Sequence, residues 1–142
     1  MIGRVSGSNA TTTGQALVDI AGLLVVLAAS STYVFEADLI VGTSAVTTGC
    51  QYGVQYSIAG PTVACSQLGS QTAILHAVSD IVAVNTVGRA YLLTSAMKGY
   101  VRIAGYITTP ATGGNFTIRH LKVTSGTSTV YIGSNLRVWK VA

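Results

Sequence analysis

Charged side chains are scarce in this chain of 142 residues: they make up 8% of it, where about 25% is typical of a globular domain. Apolar residues make up 49%, and the chain has 16 glycines. So few charges leave little to keep the surface of a monomer hydrated. We therefore expect a homo-oligomer, or a chain covered by a larger lattice. A monomer with a Ser- and Thr-covered surface is the alternative.

Long hydrophobic runs are also missing. The most apolar segment, residues 20–29, is ten residues long, whereas a membrane-spanning helix needs roughly 20 apolar residues. Arg4 is followed by the small and polar segment VSGSNATTTGQ, which is unlike the apolar core of a secretory signal. The sequence therefore predicts no membrane partner.

Groups for catalysis are few. His76 and His120 are the only histidines, and there is no G-x-S-x-G elbow and no phosphate-binding loop. A catalytic site needs several titratable groups that converge. We therefore expect no enzyme activity, no cofactor and no metal site.

Glu36 and Asp38 are two carboxylates close together in the sequence. On a strand their side chains would lie on the same face, about 7 Å apart, because a strand rises ~3.3 Å per residue. That spacing could suit a glycosidase pair or a cation site. The interpretation we favour is a solvated or salt-bridged strand face.

Two cysteines, Cys50 and Cys65, are too few for a disulfide framework. Cys50 falls on an apolar strand phase, which favours a buried thiol. A Cys50–Cys65 bridge stays open if their strands are neighbours.

The charges are separated along the sequence. All four acidic residues precede residue 88, and seven of the eight basic residues follow it. The bases are single and spread over several segments, unlike the clustered bases and aromatics of a nucleic-acid-binding surface. We expect no nucleic-acid partner, and complementary faces that meet across subunits or against an acidic surface.

Alternation of apolar and polar residues predicts strands throughout. In YVFEADLIV, Tyr33, Phe35 and Leu39 share one side while Glu36 and Asp38 take the other. CQYGVQYSI, NFTIRHLKV and NLRVWKV alternate in the same way. The last of these places Arg137 and Trp139 on one side and Leu136 and Val138 on the other.

These segments predict eight to ten strands and no convincing helix. Residues 16–20 and 23–28 are two strands around a turn at AGL, residues 62–65 and 72–78 flank the separator SQLGSQ, and residues 81–98 fit neither period. Residues 1–14 are an extended, loosely ordered N-terminal arm, and residues 15–142 a single domain. The predicted fold is all-β: an antiparallel β-sandwich, jelly-roll-like, with a short extended N-terminal arm.

Phrases at both ends of the chain resemble a family of small virion proteins of tailed bacteriophages. They are TTGQALVDIAGL, then Thr32-Tyr33-Val34-Phe35-Glu36, then a strand ending in Gly60-Pro61, and GSNLRVWKV near the C-terminus. The middle of the chain resembles the family weakly, and none of the phrases is a chemical motif. The resemblance implies a jelly-roll sandwich that assembles on a virion, commonly as a trimer.

Two functions follow from that resemblance. The favoured one is a capsid decoration protein that binds the major capsid protein lattice on the outer head surface and stabilises it by multivalent binding. Arg4, Arg137, Trp139 and Lys140 are then candidate interface residues. The alternative is a tail or appendage module that binds a host receptor, a glycan or a protein, through exposed aromatic residues. The candidates are Tyr52, Tyr56, Tyr91, Tyr100, Tyr106 and Trp139, of which Tyr52 and Tyr56 fall on a core phase.

Overall fold

A computed structural model describes residues 1–69, 77–88, 90 and 98–142, with residues 77–79 as backbone only. The described residues form eleven strands and no helix. The strands are β1 (Ile2–Arg4), β2 (Ala10–Thr12), β3 (Val18–Leu27), β4 (Thr32–Thr43), β5 (Cys50–Tyr56), β6 (Thr62–Gly69), β7 (Ala77–Ile81), β8 (Gly99–Thr108), β9 (Gly114–Lys122), β10 (Ser128–Val130) and β11 (Asn135–Lys140).

The strands pair into two antiparallel sheets. The larger sheet has eight strands, six of which follow the order β1-β11-β4-β8-β6-β7. The other two are β10, which pairs with β4, and β2, which pairs with β10. The smaller sheet has three strands in the order β3-β9-β5. Consecutive strands repeatedly change sheet, from β3 to β4, from β4 to β5 and from β5 to β6, which is the jelly-roll-like feature. The predicted all-β antiparallel sandwich is confirmed.

The core lies between the sheets and follows the predicted alternation. On β4 the side chains of Tyr33, Phe35 and Leu39 are buried, and on β5 those of Tyr52 and Val54 are buried. Apolar residues from the two sheets meet there; the rings of Phe35 and Phe116, for example, lie 4.7 Å apart. Burial of these alternate positions drives the two sheets together.

The N-terminal segment differs from the prediction of a loosely ordered arm. Residues 1–14 are extended, but β1 pairs with β11 and β2 pairs with β10 within the same chain. Val5, just after β1, is buried, and its backbone N–H donates to the carbonyl of Ser134. The segment is held because its backbone groups complete the larger sheet.

The two strands predicted around AGL are one strand, β3, with a register shift between Asp19 and Leu24. Gly22 lies inside this irregularity with φ of +89°, and a Cβ there would collide with the carbonyl of Arg4. The glycine thus marks a β-bulge under the N-terminal strand, where the sequence pattern indicates a hairpin turn.

Strand β6 runs beyond the predicted end at Cys65, through the predicted separator, as far as Gly69. Gln67 is the cause of the error because it is polar at an inward position. Its side-chain amide is buried and donates to the carbonyl of Tyr52, 2.8 Å away. Of the predicted strand 72–78, only residues 77–78 lie within the described residues, and they begin β7.

The ambiguous segment 81–98 is described in part. Ile81 ends β7, and residues 82–88 form a turn that returns to the smaller sheet through a bridge between Val87 and Gly53. Residue 89 and residues 91–97 lie outside the described part of the chain.

Candidate binding face

Three aromatic side chains project from the outer face of the larger sheet. Tyr100 and Tyr106 are each 43% exposed, and Trp139 is 46% exposed. Each of the three is adjacent in sequence to a buried residue of the same strand, as Trp139 is to Val138. Because side chains alternate along a strand, the aromatic side chains point away from the core. We call the outer surface of β11, β4 and β8 the aromatic face.

Trp139 and Tyr106 are both cross-strand neighbours of one residue, Val34 on β4. Adjacent strands lie about 4.8 Å apart, so the backbones of Trp139 and Tyr106 are about 10 Å apart with a short aliphatic side chain between them. Two large half-exposed rings therefore border a low apolar strip.

An ion-pair cluster adjoins this strip on the same face. Glu36 pairs with Arg102 and with Arg137, whose Nη2 lies 3.3 Å from the Glu36 Oε2 atom. Asp38 pairs with Arg137 and accepts a hydrogen bond from the hydroxyl of Tyr100. The interpretation of Glu36 and Asp38 as a salt-bridged strand face is confirmed.

The cluster fixes its polar groups in position. Arg137 contacts both carboxylates, so its guanidinium is held between β11 and β4. Burial raises the pKa of Tyr100, and the hydrogen bond to Asp38 and that carboxylate's charge raise it further, so its hydroxyl keeps its proton and serves as a donor. The face thus presents pre-oriented donors and acceptors between aromatic rings.

A shallow depression of about 320 Å³ lies beside the aromatic face, over β6, β7 and β8. We call it the trough. β6 and β8 line it with small residues, among them Ala64, Ser66 and Ala104, and its β7 side carries Asp80 and Val82. Ala64 is also the cross-strand neighbour of Tyr106, so the trough begins where the aromatic face ends.

The four predicted interface residues do not share one environment. Trp139 lies on the aromatic face, Arg137 in the ion-pair cluster, and Arg4 is exposed on β1 at the edge of the same sheet. Lys140 is exposed at the end of β11, one position out of phase with Trp139. Their role as an interface stays a prediction.

The separated charges meet within the chain. Arg102 and Arg137 pair with acids on β4, and Arg119 pairs with Asp19 at 2.9 Å. Antiparallel pairing brings these distant segments together, so three of the bases find acidic partners within one protomer. Contacts of the remaining charges with other subunits or with an acidic surface stay a prediction.

Of the other aromatic candidates, Tyr52 and Tyr56 are buried, as predicted from their strand phase. Tyr91 lies outside the described residues. The sequence did not reveal the trough. Small residues at outward positions were a signal for it, but only the pairing of β6 with β7 and β8 places them together.

Cys50, Cys65 and His120 are buried, and His76 lies outside the described residues. Cys50 and Cys65 are thiols with no disulfide between them, and burial raises their pKa to about 11 and about 12. Burial lowers the pKa of His120 to about 4. In the described part of the chain no three His, Cys, Asp or Glu residues are grouped as a metal site would need, and no helix is long and apolar enough to cross a bilayer.

No protein-family model and no curated protein matches this chain. Among solved structures it is similar to the C-terminal domain of EclA, a sugar-binding protein, with 8% identity, 95% of this chain and 79% of that chain covered, and a TM-score of 0.40. It is also similar to the CBM22-1–GH10 modules of Clostridium thermocellum xylanase 10B in complex with xylohexaose, with 11% identity, coverage of 96% and 28%, and a TM-score of 0.38.

A third similar structure is that of infectious bursal disease virus, Gx strain, with 10% identity, coverage of 99% and 38%, and a TM-score of 0.26. TM-scores of this size do not identify a shared function. The class that this chain's own strands define is the antiparallel β-sandwich.

Proposed function

We propose that this chain is a non-catalytic binding module that holds a glycan on its aromatic face. The observation that carries the proposal is the placement of Trp139 and Tyr106 on either side of Val34, with the ion-pair cluster beside them. A sugar ring has apolar C–H faces and a rim of hydroxyl groups. Exposed aromatic rings suit the first, and fixed polar groups suit the second.

The physical argument rests on pre-organisation. Tyr and Trp side chains have few rotatable bonds, so they lose little conformational entropy when a ligand covers them. Arg102, Arg137 and Tyr100 are held by carboxylates before any ligand arrives, which reduces the ordering cost of binding. Half-exposed rings also leave apolar surface in contact with water, and a bound sugar would cover that surface, which favours binding.

An immobilised panel of oligosaccharides tests the proposal. We expect the wild-type chain to bind a subset of the panel, and Trp139→Ala and Tyr106→Ala each to weaken that binding about tenfold or more. Val46→Ala is the control because Val46 is 47% exposed in the turn between β4 and β5 and belongs to neither proposed surface. Failure of the wild type to bind any saccharide would contradict the proposal, as would equal losses in the aromatic variants and in the control.

On a virion, such a module would belong to a tail or appendage that meets the host receptor. That location is suggested by the resemblance of the sequence to tailed-phage virion proteins, and we propose it as the setting for the glycan site.

Capsid decoration is the second candidate function. The observation in its favour lies on the other sheet: Leu24 and Val26 are exposed on the outer side of edge strand β3. An apolar strip on an edge strand, in a chain with 8% charged residues, suits packing against a second copy or against a capsid lattice, with trimers as the expected oligomer. Gold-labelled antibody on intact virions separates the candidates, since decoration predicts label over the head and receptor binding predicts label at the tail.

A further inference from the structure

The trough has the dimensions of a small-ligand site. Its volume of about 320 Å³ is at the low end of the ~300–1,000 Å³ found for ligand pockets. It is open to solvent on the same side of the molecule as Tyr106, because Ala64 is too short to cover the ring of its cross-strand neighbour. One ring of a glycan lying on the aromatic face could therefore enter it.

Small residues create the trough at matched positions of neighbouring strands. Ser66 on β6 is the cross-strand neighbour of Ala104 on β8 and of Asp80 on β7. Across the three strands, the side chains are therefore the methyl group of Ala104, the hydroxyl of Ser66 and the carboxylate of Asp80. A larger side chain at residue 66 or 104 would fill the space.

Asp80 is the distinctive polar group of this site. In the described part of the chain the other three acids, Asp19, Glu36 and Asp38, all make ion pairs, and Asp80 makes none. It is exposed at the β7 side of the trough, and among the residues that the structure describes it is the one charged residue that lines the trough. A carboxylate in this position accepts two hydrogen bonds from adjacent hydroxyl groups and repels an anionic ligand.

We infer that the trough is a specificity subsite that takes one uncharged sugar ring, with its hydroxyls donating to Asp80 and its edge against Ser66 and Ala104. This inference rests on the proposed function, because the aromatic face would hold the rest of the glycan. It adds a ligand class: neutral hexose or pentose units are accepted, and uronic or sialic acids are rejected at this position.

Surface plasmon resonance on immobilised neutral oligosaccharides and on uronic-acid oligosaccharides tests the inference. Asp80→Asn removes the charge without changing the shape, and Ala104→Leu fills the trough. We expect Asp80→Asn to weaken binding of the neutral glycans about tenfold or more, because the charged acceptor is replaced by a weaker neutral one. We expect Ala104→Leu to weaken it at least as much, because the larger side chain occupies the space of the sugar ring. Asp80→Asn should also reduce the ratio of the affinity for neutral glycans to the affinity for uronic-acid glycans, because the negative charge that repels the uronic acid is gone.

Controls separate this inference from the proposed function. Ala111→Leu adds the same bulk on an exposed loop outside the trough, and Ser66→Leu fills the trough from an exposed position if Ala104→Leu unfolds. If Trp139→Ala weakens binding while the trough variants bind like wild type, the subsite is wrong and the binding module stands. A wild-type preference for uronic acids also overturns the subsite, and an absence of all saccharide binding overturns both.

Discussion

Trp139 on β11 and Tyr106 on β8 flank the same residue of β4, Val34, and all three project from one face of the larger sheet. The two aromatic residues are 33 positions apart in the sequence. Antiparallel pairing of both strands with β4 makes them near neighbours. The proposed function depends on this relationship, and the predictions below test the structure that maintains it.

The ion-pair cluster should contribute modestly to stability. Arg137 bridges Glu36 and Asp38, and its side chain is 39% exposed. Partly exposed pairs typically contribute ~1 kcal/mol or less because water and salt screen them. We expect Arg137→Ala to lower the free energy of unfolding by about 1 kcal/mol in urea titrations at low salt, and by less in 1 M NaCl, where the Debye length is about 3 Å.

Arg4→Ala is the control for that experiment, because Arg4 is exposed and makes no ion pair with another described residue. A loss for Arg137→Ala that is the same at both salt concentrations would show that its role is packing of the aliphatic stem rather than charge.

Buried His120 should make the protein less stable as the pH falls. Burial lowers its pKa to about 4 from the usual histidine value near 6.5, and its Nδ1 atom has no hydrogen-bond partner among the described residues. The unfolded chain therefore binds a proton below pH 6.5 that the folded chain does not bind until about pH 4. The free energy of unfolding should drop across this window, by up to about 3 kcal/mol.

Urea titrations of wild type and His120→Gln between pH 7 and pH 5 check this prediction. The variant has no imidazole at residue 120 to take up a proton on unfolding, so it should lose less stability than wild type on acidification. Parallel curves for the two proteins would show that His120 does not titrate in this way.

The two thiols should be unreactive in the folded protein. Cys50 and Cys65 are buried, and burial raises the pKa of each, so little thiolate forms at neutral pH. We expect no reaction with Ellman's reagent under native conditions and two equivalents after unfolding in guanidinium. Rapid labelling of one thiol in the native state would show that the core opens locally beside it, and a single equivalent after unfolding would indicate a modified cysteine.

Strands with clean alternation were predictable from the sequence. Burial of every second residue along β4 and β5 follows the pattern directly, and the outward position of Trp139 follows from its place beside Val138. The predictions failed where one residue broke the pattern for a structural reason. Gln67 is polar but buried, because its side-chain amide donates a hydrogen bond to the backbone carbonyl of Tyr52. Gly22 has the positive φ that is common in turns, but it lies in a β-bulge inside a continuous strand.

The candidate site was less predictable because it depends on pairing between distant segments. Glu36 lies 66 residues from Arg102 and about 100 from Arg137 in sequence, and only the order β11-β4-β8 brings these side chains together. The trough likewise needs the register that sets Ser66 beside both Ala104 and Asp80. Local patterns give the phase of a strand but not its neighbours.

Tryptophan fluorescence tests the central claim most directly, because Trp139 is the only tryptophan of the chain and lies on the proposed face. The probe is the neutral oligosaccharide that binds best in the panel, titrated into the wild-type protein. We predict a saturable change in emission with a shift to shorter wavelength as the sugar covers the half-exposed indole, and the same midpoint as in the binding assay. Saturable binding with no change in Trp139 emission would place the glycan elsewhere and contradict the account.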